Sequence, residues 1–174
     1  MTKKLDKEGR SSIVDNYNLV YIDLWGVVHN GVNLYQSAID TLKEISKKKK
    51  DYVLLTNAPR PNSTVKNFLK KMGMDKEISD NVFTSGEAAL NYLNKNYFDE
   101  KFYHVGPPKD FDLFKSFEKM KLNNIENSEY IICTGLFDEH DNDLNYYKKL
   151  FEKNLKKKMI CTNPDLIVDR GDTR

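Results

Sequence analysis

No stretch of the 174-residue sequence approaches the ~18 consecutive apolar residues that a bilayer-spanning helix needs. The amino terminus, Met1 to Asp15, carries charge throughout and lacks the apolar core of a secretory leader. These absences lead to the expectation of a cytoplasmic chain with no membrane partner. Cysteine is scarce: Cys133 and Cys161 are the two in the chain, each inside an apolar run, which suits buried thiols better than a disulfide or a metal site. An excess of one charge is missing too, since 28 basic residues face 26 acidic ones for a net charge of +2. The basic runs 47–50 and 156–158 each follow an amphipathic pattern, where cations suit the negative end of a helix dipole. Without interleaved aromatics they do not read as a nucleic-acid surface, so no nucleic-acid partner is expected. No internal repeat or low-complexity stretch is convincing.

What is present is a soluble-globular composition, 39% hydrophobic and 31% charged. Short apolar runs that stop abruptly at polar residues recur at 19–22, 52–55, 81–83, 102–105, 130–133 and 159–161. They resemble strands buried on both faces, as in a parallel sheet. Between them lie five segments with helical spacing, carried by Ala38, Ile39, Leu42 and Ile45; by Val65, Phe68, Leu69 and Met72; by Ala88, Ala89, Tyr92 and Leu93; by Phe111, Phe114, Phe117 and Met120; and by Leu144, Tyr147, Leu150 and Phe151. The alternation predicts an α/β fold with parallel strands and right-handed crossovers. The polar stretch 94–101 is the best seam between two units, predicted as 1–98 and 99–174.

In such a sheet ligands collect at the carboxyl ends of the strands, so the residues just after each apolar run matter most. Asp23 ends the first run and precedes Gly26 and Gly31, which allow a tight turn around an anion. A carboxylate there can attack phosphorus or hold a divalent cation, and it can equally be a turn or cap residue. Thr56 and Asn57 end the second run, and neighbouring strands lie only ~4.8 Å apart, so their polar groups can meet the same ligand. A hydroxyl with backbone N–H groups at a helix start binds phosphate; it is also an ordinary N-cap, which Pro59 and Pro61 make plausible. Thr84 with Ser85 ends the third run. The group Asp138, Glu139, His140, Asp141 and Asp143 lacks the spacing of a calcium loop and reads as a solvated loop with an N-cap aspartate for the fifth helix.

These residues carry a resemblance. Tyr21-Ile22-Asp23-Leu24-Trp25-Gly26-Val27-Val28-His29-Asn30-Gly31 resembles the first motif of the haloacid dehalogenase superfamily, in the NagD-like class with a large α/β cap between its second and third motifs. Leu55-Thr56-Asn57-Ala58-Pro59-Arg60-Pro61 is similar to the second motif of that class. Phe83-Thr84-Ser85-Gly86-Glu87-Ala88-Ala89, the Val105-Gly106 turn and Cys161-Thr162-Asn163-Pro164-Asp165 match further segments in the same order, so the resemblance covers the chain from about Leu19 onward. A receiver-type module also places Asp at a strand end, but explains neither Thr56-Asn57 nor Thr162-Asn163-Pro164-Asp165.

The resemblance implies a Rossmann-like parallel-sheet core with an inserted α/β cap over about 100–169. It implies a Mg²⁺-dependent phosphatase acting on a small phosphorylated metabolite through an aspartyl phosphate. Asp23 would be the nucleophile and a Mg²⁺ ligand, the backbone carbonyl of Trp25 a second ligand, and Thr56, Asn57 and Arg60 binders of the phosphoryl group or substrate. Asn163 and Asp165 would lie near the leaving group.

Two departures temper this. Most relatives place an acid/base aspartate where this sequence has Trp25, whose indole has no titratable proton near neutral pH. The alternative reading is therefore a catalytically impaired phosphate-binding or regulatory protein. His29 either takes over that acid/base role or is an ordinary loop histidine. The family's later motifs, a lysine and acidic metal ligands, would follow the cap, and 171–174 resembles the start of the return to the core. The expectation is thus a chain truncated after its cap, with an incomplete core sheet whose apolar surface favours self-association as a homo-oligomer.

Overall fold

The computed structural model describes residues 11–165. The expected return segment 171–174, and the part of the expected cap beyond Asp165, lie outside the described residues. Among the described residues the chain divides into two compact units, the first formed by 11–56 with Leu69–Val82, the second by Asn57–Phe68 with 83–165. Among the described residues no helix is long and apolar enough to cross a membrane.

In the first unit a short helix α1 (Ser11–Val14) precedes strand β1 (Leu19–Asp23), helix α2 (Gln36–Lys47) and strand β2 (Asp51–Thr56). Helix α2 forms because Ile39, Leu42 and Ile45 fall on one face, and all three are buried. Its end carries the first basic run as a solvated terminus, with Lys48 Nζ 2.9 Å from Asp15 and Lys47 Nζ 2.5 Å from Glu44. β1 and β2 pair in parallel with Leu19 opposite Asp51 and Asp23 opposite Leu55, and β3 (Val82–Thr84) follows in the order β1-β2-β3.

The strands of this sheet were expected to be buried on both faces; they are not. Ile22 and Leu54 are buried, whereas Tyr21 is 65% and Leu55 44% exposed, so apolar residues alternate between a covered and an open face. A continuous apolar run fixes strand identity but leaves open how many faces are covered.

Helix α3 (Asn62–Lys71) and the short α4 (Lys76–Ser79) lead to β3, and α5 (Ser85–Asn96) follows it directly. The second unit holds a four-stranded parallel sheet of β4 (Phe102–Val105), β5 (Lys121–Leu122), β6 (Tyr130–Cys133) and β7 (Lys158–Cys161), in the order β5-β4-β6-β7. Here the two-face burial holds for the central strand β6, where Tyr130, Ile131 and Ile132 are at most 1% exposed, and not for the edge strand β7, where Met159 is 42% exposed. Tyr130 and Ile132 join Leu93 of α5, Phe102, Leu113 and Phe114 on one face. Ile131 joins Val105, Ile125 and Tyr147 on the other, Tyr147 coming from α6 (Leu144–Glu152). Asp143 caps α6 as expected, its Oδ1 accepting the Tyr146 N–H at 3.0 Å.

Three other expectations are corrected. Phe111, Phe114, Phe117 and Met120 do not mark an α-helix; Pro108–Phe114 and Glu118–Met120 form 3₁₀ turns. Their strict spacing of three is the period of a 3₁₀ helix, which α-helical packing would break with steps of four. Strand β5 was not foreseen, because two residues give no periodicity to read. Cys161 is exposed rather than buried, although it pairs directly with half-buried Cys133 across β6 and β7. Burial, with a smaller effect from Cys161, pushes the Cys133 thiol up to about 11. At pH 8 about one Cys133 thiol in a thousand is then ionised, so iodoacetamide should modify Cys161 and spare Cys133 until the pH nears 11. Equal labelling of the two at pH 8, read by peptide mass spectrometry, would contradict this environment.

Candidate active site

Asp23 ends β1 with its carboxylate exposed, and its Oδ1 accepts the Leu24 N–H at 2.9 Å. Because Asp23 sits opposite Leu55, the next residue of β2, buried Thr56, lies at the same carboxyl edge of the sheet. The loop after Asp23 is tightly wound. Val28 N–H and His29 N–H both donate to the Leu24 carbonyl, at 2.8 and 3.2 Å, and Gly26 N–H donates to the His29 carbonyl at 2.8 Å. Gly26 and Gly31 take φ of 75° and 83°, left-handed backbone that glycine adopts without the Cβ penalty. Leu24 and Val28, both nearly fully buried, anchor the loop below.

His29 is buried at 3% exposure and meets the Trp25 ring edge to face, with centroids 5.1 Å apart. Its Nδ1 accepts the Gly31 N–H at 3.0 Å, which fixes the neutral tautomer with the proton on Nε2. Burial holds its pKa below the usual histidine value, against the opposing pull of the Asp23 charge. The imidazole is therefore neutral at pH 7 and within the electrostatic reach of Asp23.

The remaining predicted site residues belong to the second unit. Asn57 Nδ2 donates to the Asp165 carboxylate, and the Asp165 N–H donates to Asn163 Oδ1 at 3.0 Å, so these three come together. Arg60 goes elsewhere: its Nε lies 3.3 Å from Oδ1 of Asp110, whose side chain is 4% exposed. Burial raises the Asp110 pKa, and Arg60 and a hydrogen bond from Thr134 act in the opposite sense. Because the Thr134 hydroxyl donates to Asp110, it accepts from His104 Nε2, 2.8 Å away. A polar chain thus runs from half-buried Arg60 to the buried Asp110, Thr134 and His104. Asp110, Thr134 and His104 were not read as important from sequence. A histidine inside an apolar strand and an aspartate among phenylalanines were the available signals, since such groups are buried only when paired.

The Asp23 carboxylate and the backbone carbonyl of Trp25 are hard oxygen donors of the type a divalent cation takes. Among the described residues no group of three or more His, Cys, Asp and Glu side chains could hold a metal alone.

A model of haloacid dehalogenase-like hydrolases matches residues 20–119. Phosphoglycolate phosphatase 2 of Arabidopsis thaliana is 25% identical over 164 residues, covering 83% of this chain and 53% of that protein. A haloacid dehalogenase-like hydrolase from Brucella suis superposes with a TM-score of 0.79 at 27% identity, covering 98% of this chain and 61% of that one. NagD from E. coli shares the fold, with a TM-score of 0.61 at 22% identity over 86% of this chain and 58% of its own. The chain thus spans between half and two thirds of the length of these relatives. The strand-end aspartate, its threonine neighbour and the matched model agree, and the chain belongs to the haloacid dehalogenase-like hydrolases.

Proposed function

We propose that this chain supplies the nucleophile and phosphoryl-binding residues of a divalent-metal-dependent phosphomonoesterase for a small phosphorylated metabolite. The observation that carries the reading is the exposed Asp23 carboxylate at the end of β1, one register step from buried Thr56 at the end of β2. A carboxylate oxygen of Asp23 attacks phosphorus as the bond from phosphorus to the ester oxygen breaks, giving an aspartyl phosphate and an alcohol once that oxygen gains a proton. Water then attacks the phosphorus, releasing phosphate and restoring the carboxylate. Thr56 donates a hydroxyl to the transferring group, and the Asn57 amide, now on Asp165, is a donor that a phosphate oxygen can capture. A bound Mg²⁺, held by Asp23 and the Trp25 carbonyl with further oxygen ligands, would offset the phosphate charge.

The test is release of inorganic phosphate from p-nitrophenyl phosphate. Asp23→Asn keeps the size and removes the nucleophile, so the rate should fall by about 10³-fold or more. Equal release by wild type and variant overturns the assignment. A second reading, a phosphate-binding regulatory protein with impaired turnover, is favoured by Trp25. Phosphate binding that depends on Thr56, with no hydrolysis across a panel of phosphate esters, would select it.

A further inference from the structure

The segment Thr84-Ser85-Gly86-Glu87 has no role in the chemistry above, yet it is bonded at five points to residues 58–62, the loop that follows Asn57. Ser85 Oγ and the Gly86 N–H both donate to the Ala58 carbonyl, at 3.0 and 3.1 Å. Thr84 Oγ1 donates to the Arg60 carbonyl at 2.6 Å. Asn62 closes the set, its Oδ1 accepting the Thr84 N–H and its own N–H donating to Glu87 Oε2, both at 2.9 Å.

The local sequence explains why this arrangement is unusual. Thr84-x-x-Glu87 at the start of α5 has the spacing of a capping box, in which the threonine hydroxyl accepts the N–H of the third helical residue and the glutamate returns to the threonine N–H. The first bond is present, Glu87 N–H to Thr84 Oγ1 at 2.9 Å. The second is opened, and Asn62 stands between its two halves. Gly86 is required by proximity, since a Cβ there would lie 2.3 Å from the Arg60 backbone nitrogen.

We propose that Asn62, Thr84, Ser85, Gly86 and Glu87 form a clasp that holds the 57–62 loop in its phosphoryl-binding shape, acting as positioning residues for Asn57. This rests on the phosphatase reading for its consequence and on the hydrogen bonds alone for its existence. The opened capping box supplies a test that separates positioning from stability. Asn62→Ala removes the bond accepted by Asn62 Oδ1 and keeps the backbone N–H of residue 62; the Glu87 carboxylate can then turn from that N–H onto the freed Thr84 N–H, so α5 keeps its cap while the loop loses one bond at once and the second when Glu87 turns. Gly86→Ala attacks the same clasp from the other side by displacing Arg60.

Hydrogen exchange without ligand should rise about tenfold or more in Asn62→Ala at the amides of Arg60 and Gly86, whose own bonds the substitution does not touch. The thermal midpoint should move by no more than about 2 °C. With p-nitrophenyl phosphate, KM should rise about fivefold or more while kcat stays within about threefold, and Gly86→Ala should shift KM in the same direction. Unchanged exchange in Asn62→Ala overturns the clasp whether or not the chain hydrolyses phosphate esters. Raised exchange with an unchanged KM overturns the positioning role. Raised exchange beside a wild type that releases no phosphate supports the clasp and counts against the phosphatase reading.

Discussion

Trp25→Asp should accelerate hydrolysis of an alkyl phosphate by about 10²-fold or more, the usual worth of a positioned acid or base. The expectation follows from what surrounds Asp23. In the proposed reaction its carboxylate forms the phosphoenzyme, but the departing alkoxide needs a proton and the attacking water must lose one. The side chain two residues along the loop is an indole, which does neither near neutral pH. His29, the neighbouring imidazole, has Nδ1 engaged by the Gly31 N–H and is biased to the neutral form. A carboxyl at position 25 restores a group able to do both steps, and the choice of substrate tells which one limits. An alkyl leaving group needs the acid, whereas p-nitrophenolate departs readily without one. A gain confined to the alkyl ester assigns the deficit to leaving-group protonation, and an equal gain on both assigns it to hydrolysis of phospho-Asp23. No gain on either would show that Trp25 does not limit turnover and remove the case for an impaired site.

The second unit should lose about 3 kcal/mol of stability as the pH falls from about 6.5 to about 4. His104 is 4% exposed, and burial, helped by the nearby Lys121 charge, lowers its pKa from 6.5 to about 4. The sign follows from which state binds the proton first. Below pH 6.5 an unfolded chain takes up a proton at this histidine and the folded chain does not, so the unfolded state gains. The loss stops near pH 4, where the folded imidazole also protonates. Asp110 opposes this in part, because its raised pKa lets the folded state take up a proton more readily than an unfolded aspartate does. In melting curves the midpoint should drop by about 6–12 °C between pH 7 and pH 4 for a chain of this size. His104→Gln keeps a donor for Thr134 and removes the titration, so its midpoint should be flatter over the same window. Parallel curves for the two proteins would show that His104 does not govern acid lability.

How much of this was legible depends on how local each signal is. The six apolar runs mark strands because an abrupt polar stop follows each, and the structure has a strand at every one. The same rule places Asp23 and Thr56 at strand ends, since that position is a property of the run itself. The misreadings arise where the deciding partner is distant. The Phe111 to Met120 stripe is apolar on one side in either helix type, and only its step of three distinguishes them. For Arg60, no local pattern shows that Asp110, 50 residues along the chain, is its partner. Asn62 looks like a helix start, which it is. That it also completes the cap of another helix depends on Thr84 and Glu87, beyond any local pattern.

The two units are interleaved in sequence, because the chain leaves the first after Thr56, returns at Leu69 and leaves again after Val82. Synthesis runs in one direction at about 5–20 residues per second, so this order becomes a schedule. Among the described residues the parts of the first unit are not all made until Val82 has emerged, although β1 and β2 are available much earlier. The Asn57 loop waits for Glu87 to reach its clasp and for Asp110 to receive Arg60, some seconds more. A nascent chain therefore carries the 57–62 loop unfastened before those partners exist, and a chain ending before Glu87 would leave it so.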